Sequence, residues 1–277
     1  MLRLDKAVMR ATGWSRSDAK RLILAGGVCV AGRSARKPGL NVEPASVEVD
    51  RGLLRPVPSI YAAEVAASDA DAVIAVKPAG LPVHPLTPGE PDSLLQRLLT
   101  AYPEVADAGA EGPLRGGLVH RLDTLTSGLV ACARHPEAWQ RLRGAFKDGK
   151  VLKQYIACVA EPAVLAGEVG LPVRRWLKTV RHRPARVAVV PPGTQGGRPC
   201  GMTLDRLEGN RVWITLGSGH LHQIRVMLAD LGAPILGDDV YGGSASQVVG
   251  SEQATLRLHA WRLGLPNGPV AEALPPW

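Results

Sequence analysis

The sequence predicts an α+β protein with a small N-terminal domain over residues 1–60 and a larger domain over 61–277. Three observations point that way. Short β-branched runs and amphipathic helices follow one another without the regular strand–helix alternation of a doubly wound sheet. Positive charge gathers at one end, since residues 1–61 hold 11 Lys/Arg against 5 Asp/Glu and residues 62–277 hold 22 against 20. Pro56, Pro58 and the residues up to Ser68 then read as a linker.

Taken in order, Leu4 to Ala11 reads as a short helix. Ser15-Arg16-Ser17-Asp18 has the spacing of a capping box and opens a helix from Arg16 to Ala25 that stops at Gly26-Gly27. Arg16, Lys20 and Arg21 line one side of that helix, while Ala19, Leu22 and Ile23 can pack inward. Val28 to Arg33 is a strand running into a turn, and Val47–Val49 a second strand. In the larger domain strands are expected at Val73–Lys77, Leu129–Ala133, Tyr155–Val159, Arg186–Val190, Met202–Leu207 and Arg211–Leu216. Helices are expected at Asp92–Ala101, Pro136–Lys147 and Gln223–Leu231. A basic segment holds Arg174, Arg175, Lys178, Arg181, Arg183 and Arg186, with no acid between Glu168 and Asp205. By itself it reads as a solvated loop; beside a nucleic-acid cleft it would touch phosphates.

Composition narrows the class. A chain of 277 residues can bury a good core. It shows no apolar run long enough to span a membrane and no charged-then-apolar leader, so a soluble cytoplasmic protein is expected. The net charge of +8 lies mainly in the first fifth, the electrostatic footprint of a phosphate-backbone partner. Of four cysteines, Cys29, Cys132, Cys158 and Cys200, three sit in apolar strand-like runs, which favours buried thiols over disulfides or zinc. Gly193-Thr194-Gln195-Gly196-Gly197 lacks the flanking strand and helix of a phosphate loop. We therefore expect a monomer that uses neither metal nor cofactor.

Three clusters carry chemistry. Gly117-Leu118-Val119-His120-Arg121-Leu122-Asp123-Thr124-Leu125-Thr126-Ser127-Gly128 packs His, Arg and Asp between a di-glycine and an apolar run, as a loop at the mouth of a strand does. Gly219 to Leu228 is a turn running into a helix, with Arg225 in its first turn. Lys153-Gln154-Tyr155 opens a strand whose alternation puts Lys153 and Tyr155 on one face. An Asp, an Arg and a Tyr from three separate segments are the parts of a site that works on a polar ring.

HRLDTLTSG, residues 120–128, closely resembles the HRLDxxTSG signature of RluA-type pseudouridine synthases. Four further elements agree, in the family's order. They are Val73 to Pro85 with its KPaG core, the KxY of Lys153–Tyr155, the HQIR of His222–Arg225, and Gly237-Asp238 with Tyr241-Gly242. Residues 4–7 and 15–32 resemble a small RNA-binding domain first named from ribosomal protein S-four, which many members of this family carry.

The resemblance implies a mixed, largely antiparallel sheet with a central cleft, and an isomerase acting on uridines of ribosomal or transfer RNA. It casts Asp123 as the catalytic carboxylate, which a bidentate Arg225 would orient and keep ionised. Tyr155 would abut the uracil ring and help remove the proton at the new attachment carbon. Arg121 would fill the space that a flipped nucleotide vacates. With Arg121, we also place His120, Lys153, His222, Arg16, Lys20, Arg21, Arg174, Arg175 and Lys178 among the RNA-binding residues, with His120 expected to orient the loop by hydrogen bonds. His220, Leu221 and Met227 depart from the family's GRTHQIRVH, which puts substrate contact and rate in question. Two other readings stand beside this one: an RNA-binding protein with an idle cleft, and a nucleoside-level glycosylase using the same carboxylate.

Overall fold

Ser15 caps the helix that begins at Arg16, as its spacing predicts, although the Asp18 carboxylate returns to the Ser15 hydroxyl rather than to its backbone N–H. Ser15 Oγ accepts from Asp18 N at 3.2 Å and donates to Asp18 Oδ2 at 2.7 Å. The structure is a computed structural model that describes residues 1–85, 90, 92–182, 184–242 and 255–277. In it β1 (Leu2–Arg3) leads into α1 (Leu4–Thr12), and α2 spans Arg16–Ala25 before Gly26 turns the chain at φ +90°. Four short strands follow: β2 (Val28–Val30), β3 (Arg33–Ser34), β4 (Asn41–Val42) and β5 (Val47–Val49). β2 lies between β3 and β5, and β1 pairs with β4. The inward faces of the two helices, Leu4 and Val8 with Ala19, Leu22 and Ile23, meet Val28 and Leu54 in a core of their own.

The rest of the chain folds around one sheet. β6 (Glu64–Ser68) and β7 (Ala72–Lys77) form its first hairpin, so strand begins where Ser68 was expected to end a linker. Then come α3 (Leu94–Leu99), β8 (Ser127–Ala133), α4 (Pro136–Lys147), β9 (Leu152–Cys158), β10 (Pro172–His182) and β11 (Ala185–Val190). β12 (Arg198–Glu208), β13 (Arg211–Leu216), α5 (Gln223–Asp230), β14 (Leu258–Gly264) and β15 (Val270–Glu272) complete the chain. The ten strands run β11-β10-β12-β13-β9-β14-β8-β7-β6, with β15 on β14. Among the described residues, the strand pairings of this sheet are antiparallel except β14 with β8. At that parallel contact Gly128 has φ +111°, and a Cβ there would lie 2.3 Å from the Ala260 carbonyl oxygen. Only glycine lets the two backbones approach so closely.

The basic segment is a hairpin rather than a loop. On β10, Val173 and Leu177 point into the core while Arg174 is exposed, a period-two pattern that the arginines obscure. Arg183, one of its basic residues, lies outside the described residues. β6, β10, β14 and β15 are strands that the sequence patterns did not predict. All four cysteines are free, with Cys132, Cys158 and Cys200 buried.

Candidate active site

The loop between the di-glycine and β8 is pinned from below by a buried lysine. Lys77, at the end of β7, donates to the carbonyls of Pro78 and Leu81 at 2.8 Å and of Thr124 at 2.9 Å. Gly80 N also donates to Thr124 O, and Thr126 N closes a turn onto Asp123 O at 3.0 Å. These bonds fix the backbone from Asp123 to Thr126. Burial drops the Lys77 pKa to about 7, although the nearby Asp123 charge opposes the shift.

Arg225 meets this loop from the first turn of α5. Gln223 holds the start of that helix by accepting from Ser218 Oγ and His220 N and donating to Gly201 O on β12. Arg225 Nη1 donates to Asp123 Oδ2 at 3.1 Å. The expected bidentate contact with Asp123 is not formed. The fork goes to Asp238 instead, through Nε at 2.7 Å and Nη2 at 2.8 Å. Asp238 also accepts from Val240 N and Tyr241 N. The reason is geometric: Nη1 points toward the cleft and is the one donor within reach of Asp123. Burial works against the Arg225 charge, but the Asp238 and Asp123 carboxylates outweigh it and hold the guanidinium above its ordinary value.

Tyr155 lies on β9 beneath the same cleft. Arg121, Leu122, Asp123, Tyr155, His222 and Arg225 all line it. The Tyr155 hydroxyl has no hydrogen-bond partner among the described residues. Burial, then the Asp123 charge, push its pKa upward, so the phenol stays protonated. Arg121 is exposed at the rim, with no ion pair among the described residues. His222 sits beside the carboxylate, Nε2 to Asp123 Oδ2 at 3.7 Å, with Nδ1 2.9 Å from the Tyr241 hydroxyl. His220, in place of the family's Arg, also lines the cleft, and burial lowers its pKa. Met227, in place of the family's His, is buried in the core.

Other expected site residues lie elsewhere. Lys153 is buried and donates to Ser218 O at 3.4 Å, so it does not face RNA; it shares Tyr155's side of β9, and that side is covered. Burial lowers its pKa. His120 is turned into the scaffold rather than toward RNA. Its Nε2 accepts Ala131 N at 2.9 Å, its ring stacks on Phe146 at 4.5 Å, and burial lowers its pKa to about 3. In the N-terminal domain Arg16 pairs with Asp5 and Arg21 with Asp18, whereas Lys20 is exposed and unpaired among the described residues. On β10 Arg175 pairs with Asp230 at 2.6 Å, while Arg174 and Lys178 have no ion pair among the described residues. Lys77, Asp238 and Tyr241 fall within the sequence elements named above, but no role at the site was expected of them. The signal for Asp238 was physical: a buried Arg needs more carboxylate than one partly exposed Asp supplies.

Known proteins resemble this chain along most of its length. Residues 71–230 match the family described as RNA pseudouridylate synthase, and residues 2–47 match the S4 domain. An RNA pseudouridine synthase of Chloroflexus aurantiacus is 39% identical over 258 residues, covering 91% of this chain and 77% of that protein. The ribosomal large subunit pseudouridine synthase D of Escherichia coli K12 is 32% identical, covering 95% of this chain and 82% of its own length. The solved structure of human RNA pseudouridylate synthase domain containing 1 superposes with a TM-score of 0.58 at 21% identity, over 79% of this chain and 85% of that one. An N-terminal S4 domain followed by a mixed, mostly antiparallel catalytic sheet, a match over more than half its length and relatives above 30% identity place this chain in the RNA pseudouridylate synthase family, as an isomerase.

Proposed function

We propose that this enzyme isomerises a uridine of large-subunit ribosomal RNA, with Asp123 as the catalytic carboxylate. The observation that carries the assignment is the Asp123–Arg225 contact at 3.1 Å on the wall of a cleft floored by Tyr155. A target base inside a helix cannot be turned over, so the nucleotide must first be flipped into the cleft, with Arg121 at the rim free to enter the space it leaves. Asp123 attacks the anomeric carbon or takes a proton from the sugar, the bond to ring nitrogen breaks, the uracil turns, and a bond to ring carbon forms. Tyr155 lies against the ring, and its protonated hydroxyl can relay the proton lost from that carbon to the Asp123 carboxylate, which is free again once the new bond has formed. Arg225 orients Asp123 through one charge-assisted hydrogen bond at 3.1 Å.

The ribosomal substrate is suggested by the relatives' names, and the unpaired Lys20, Arg174 and Lys178 offer phosphate contacts. We further propose that residues 1–60 and 61–277 are the two units, working as a cytoplasmic monomer. The idle-cleft alternative expects a carboxylate out of reach of Arg225, and the geometry favours the catalytic reading. A pseudouridine map of total RNA, by carbodiimide-dependent reverse-transcriptase stops, tests the proposal. One ribosomal uridine should lose its signal when the gene is deleted and regain it with wild type but not with Asp123→Asn. An unchanged map with the protein expressed would refute it.

A further inference from the structure

Tyr241 joins the cleft to the basic hairpin. Its hydroxyl oxygen accepts the Val187 backbone N–H on β11 at 2.9 Å and lies 2.9 Å from His222 Nδ1. The oxygen's other contact is itself a donor, so His222 Nδ1 is the acceptor open to the phenol proton among the described residues, and we infer that the bond runs that way. An Nδ1 that accepts carries no proton, which puts the imidazole N–H on Nε2. That nitrogen faces Asp123 Oδ2 at 3.7 Å.

The backbone supports the same orientation. His222 has φ +53° and ψ +20°, a left-handed conformation at the residue just before α5. L side chains rarely adopt it, and unusual conformations that the surroundings hold in place cluster at functional sites. Asp123 Oδ2 already takes Arg225 Nη1, while Oδ1 has no hydrogen-bond partner among the described residues. Burial keeps the imidazole toward its neutral form, so this ring offers Asp123 an oriented N–H rather than a second full charge.

We propose that His222 is a positioning residue for Asp123. Its Nε2–H, oriented by Tyr241, closes on Oδ2 when a uridine fills the cleft, so that Arg225 and His222 together hold Oδ2 and Oδ1 is the oxygen presented to the substrate. The present 3.7 Å is longer than a hydrogen bond. Catalytic hydrogen bonds are commonly long in the empty enzyme and tighten in the complex. The inference rests on Asp123 being the catalytic carboxylate.

Two measurements test it. Long-range proton–nitrogen spectra of the substrate-free, full-length protein read the tautomer directly. The chain has seven histidines, and the His222 signal is the one lost in His222→Asn. Asparagine tolerates the left-handed backbone, so that variant should fold. Wild type should show the Nε2-protonated pattern and Tyr241→Phe a mixture; an Nδ1-protonated His222 in wild type overturns the proposal.

The second measurement is single-turnover conversion of a large-subunit ribosomal RNA transcript with enzyme in excess. His222→Asn and Tyr241→Phe should each slow the saturated rate about ten-fold, the worth of one hydrogen bond in the transition state. The apparent Kd for RNA should stay within about two-fold, because these groups act on Asp123 and not on phosphates. The double variant should be no slower than His222→Asn alone, since Tyr241 acts through the ring. A loss confined to RNA affinity, or losses that multiply, overturns the proposal. A wild type inert on this transcript refutes the ribosomal substrate, and the tautomer spectrum then decides the inference by itself.

Discussion

Asp238→Asn should destabilise this protein far more than Asp123→Asn, although only Asp123 is assigned to the chemistry. Asp238 is 1% exposed and Arg225 5%. The Asp238 oxygens take two hydrogens from Arg225 and two from the backbone of Val240 and Tyr241. Asparagine keeps the shape but turns one oxygen into an amide nitrogen, which then faces a donor whichever way it is placed. Removing one partner of a buried ion pair costs about 3–5 kcal/mol. Asp123 still binds Nη1 and compensates part of the charge, so about 3 kcal/mol is expected. With a urea m-value near ~3 kcal/mol/M for a chain of this size, the unfolding midpoint should fall by about 1 M. The Asp123 side chain is 19% exposed and takes one guanidinium hydrogen bond, so Asp123→Asn should cost under about 1 kcal/mol while abolishing turnover. Urea unfolding followed by circular dichroism measures both. Equal midpoint shifts in the two variants, or a shift below roughly 0.3 M for Asp238→Asn, would refute the assignment of Arg225's main anchor to Asp238.

Three further outcomes are expected. Lys77 has its folded pKa lowered from 10.5 to about 7, so between those values the unfolded chain binds more protons and stability rises with pH. The stability of wild type relative to Lys77→Met should therefore grow from pH 7 to 10 and stay level below 7, and urea midpoints at pH 6, 8 and 9.5 would show a flat difference if the lysine were not buried. Tyr155→Phe keeps the packing and removes the free hydroxyl, so single-turnover conversion should fall by about 10²–10⁴ with RNA affinity unchanged; a loss in affinity alone would remove Tyr155 from the chemistry. Gly128→Ala must push β14 away, because its Cβ would sit 2.3 Å from Ala260 O, and a melting temperature equal to wild type would contradict the close approach.

Where physics is local, the sequence is enough. The Ser15 cap, the Gly26 stop, the helix Pro136–Lys147 and the strand Arg211–Leu216 are written in neighbouring residues, and the structure has them there. The meeting of Asp123, Tyr155 and Arg225 was legible because their motifs occur together and in order. β10 was not legible, since its alternation shows only two buried side chains among arginines that solvent tolerates on the other face. β14 and β15 are strands because β9 and β8 are already there to pair with, a fact no window of sequence contains. Burial decided the remaining cases. Lys153 and Lys77 look like surface charges in the sequence, yet the sheet closes over both, and carbonyl oxygens take the place of water. The direction of Arg225's fork was settled the same way: a fully buried carboxylate must be paired, a partly exposed one need not be, so Asp238 took two donors and left Asp123 with one.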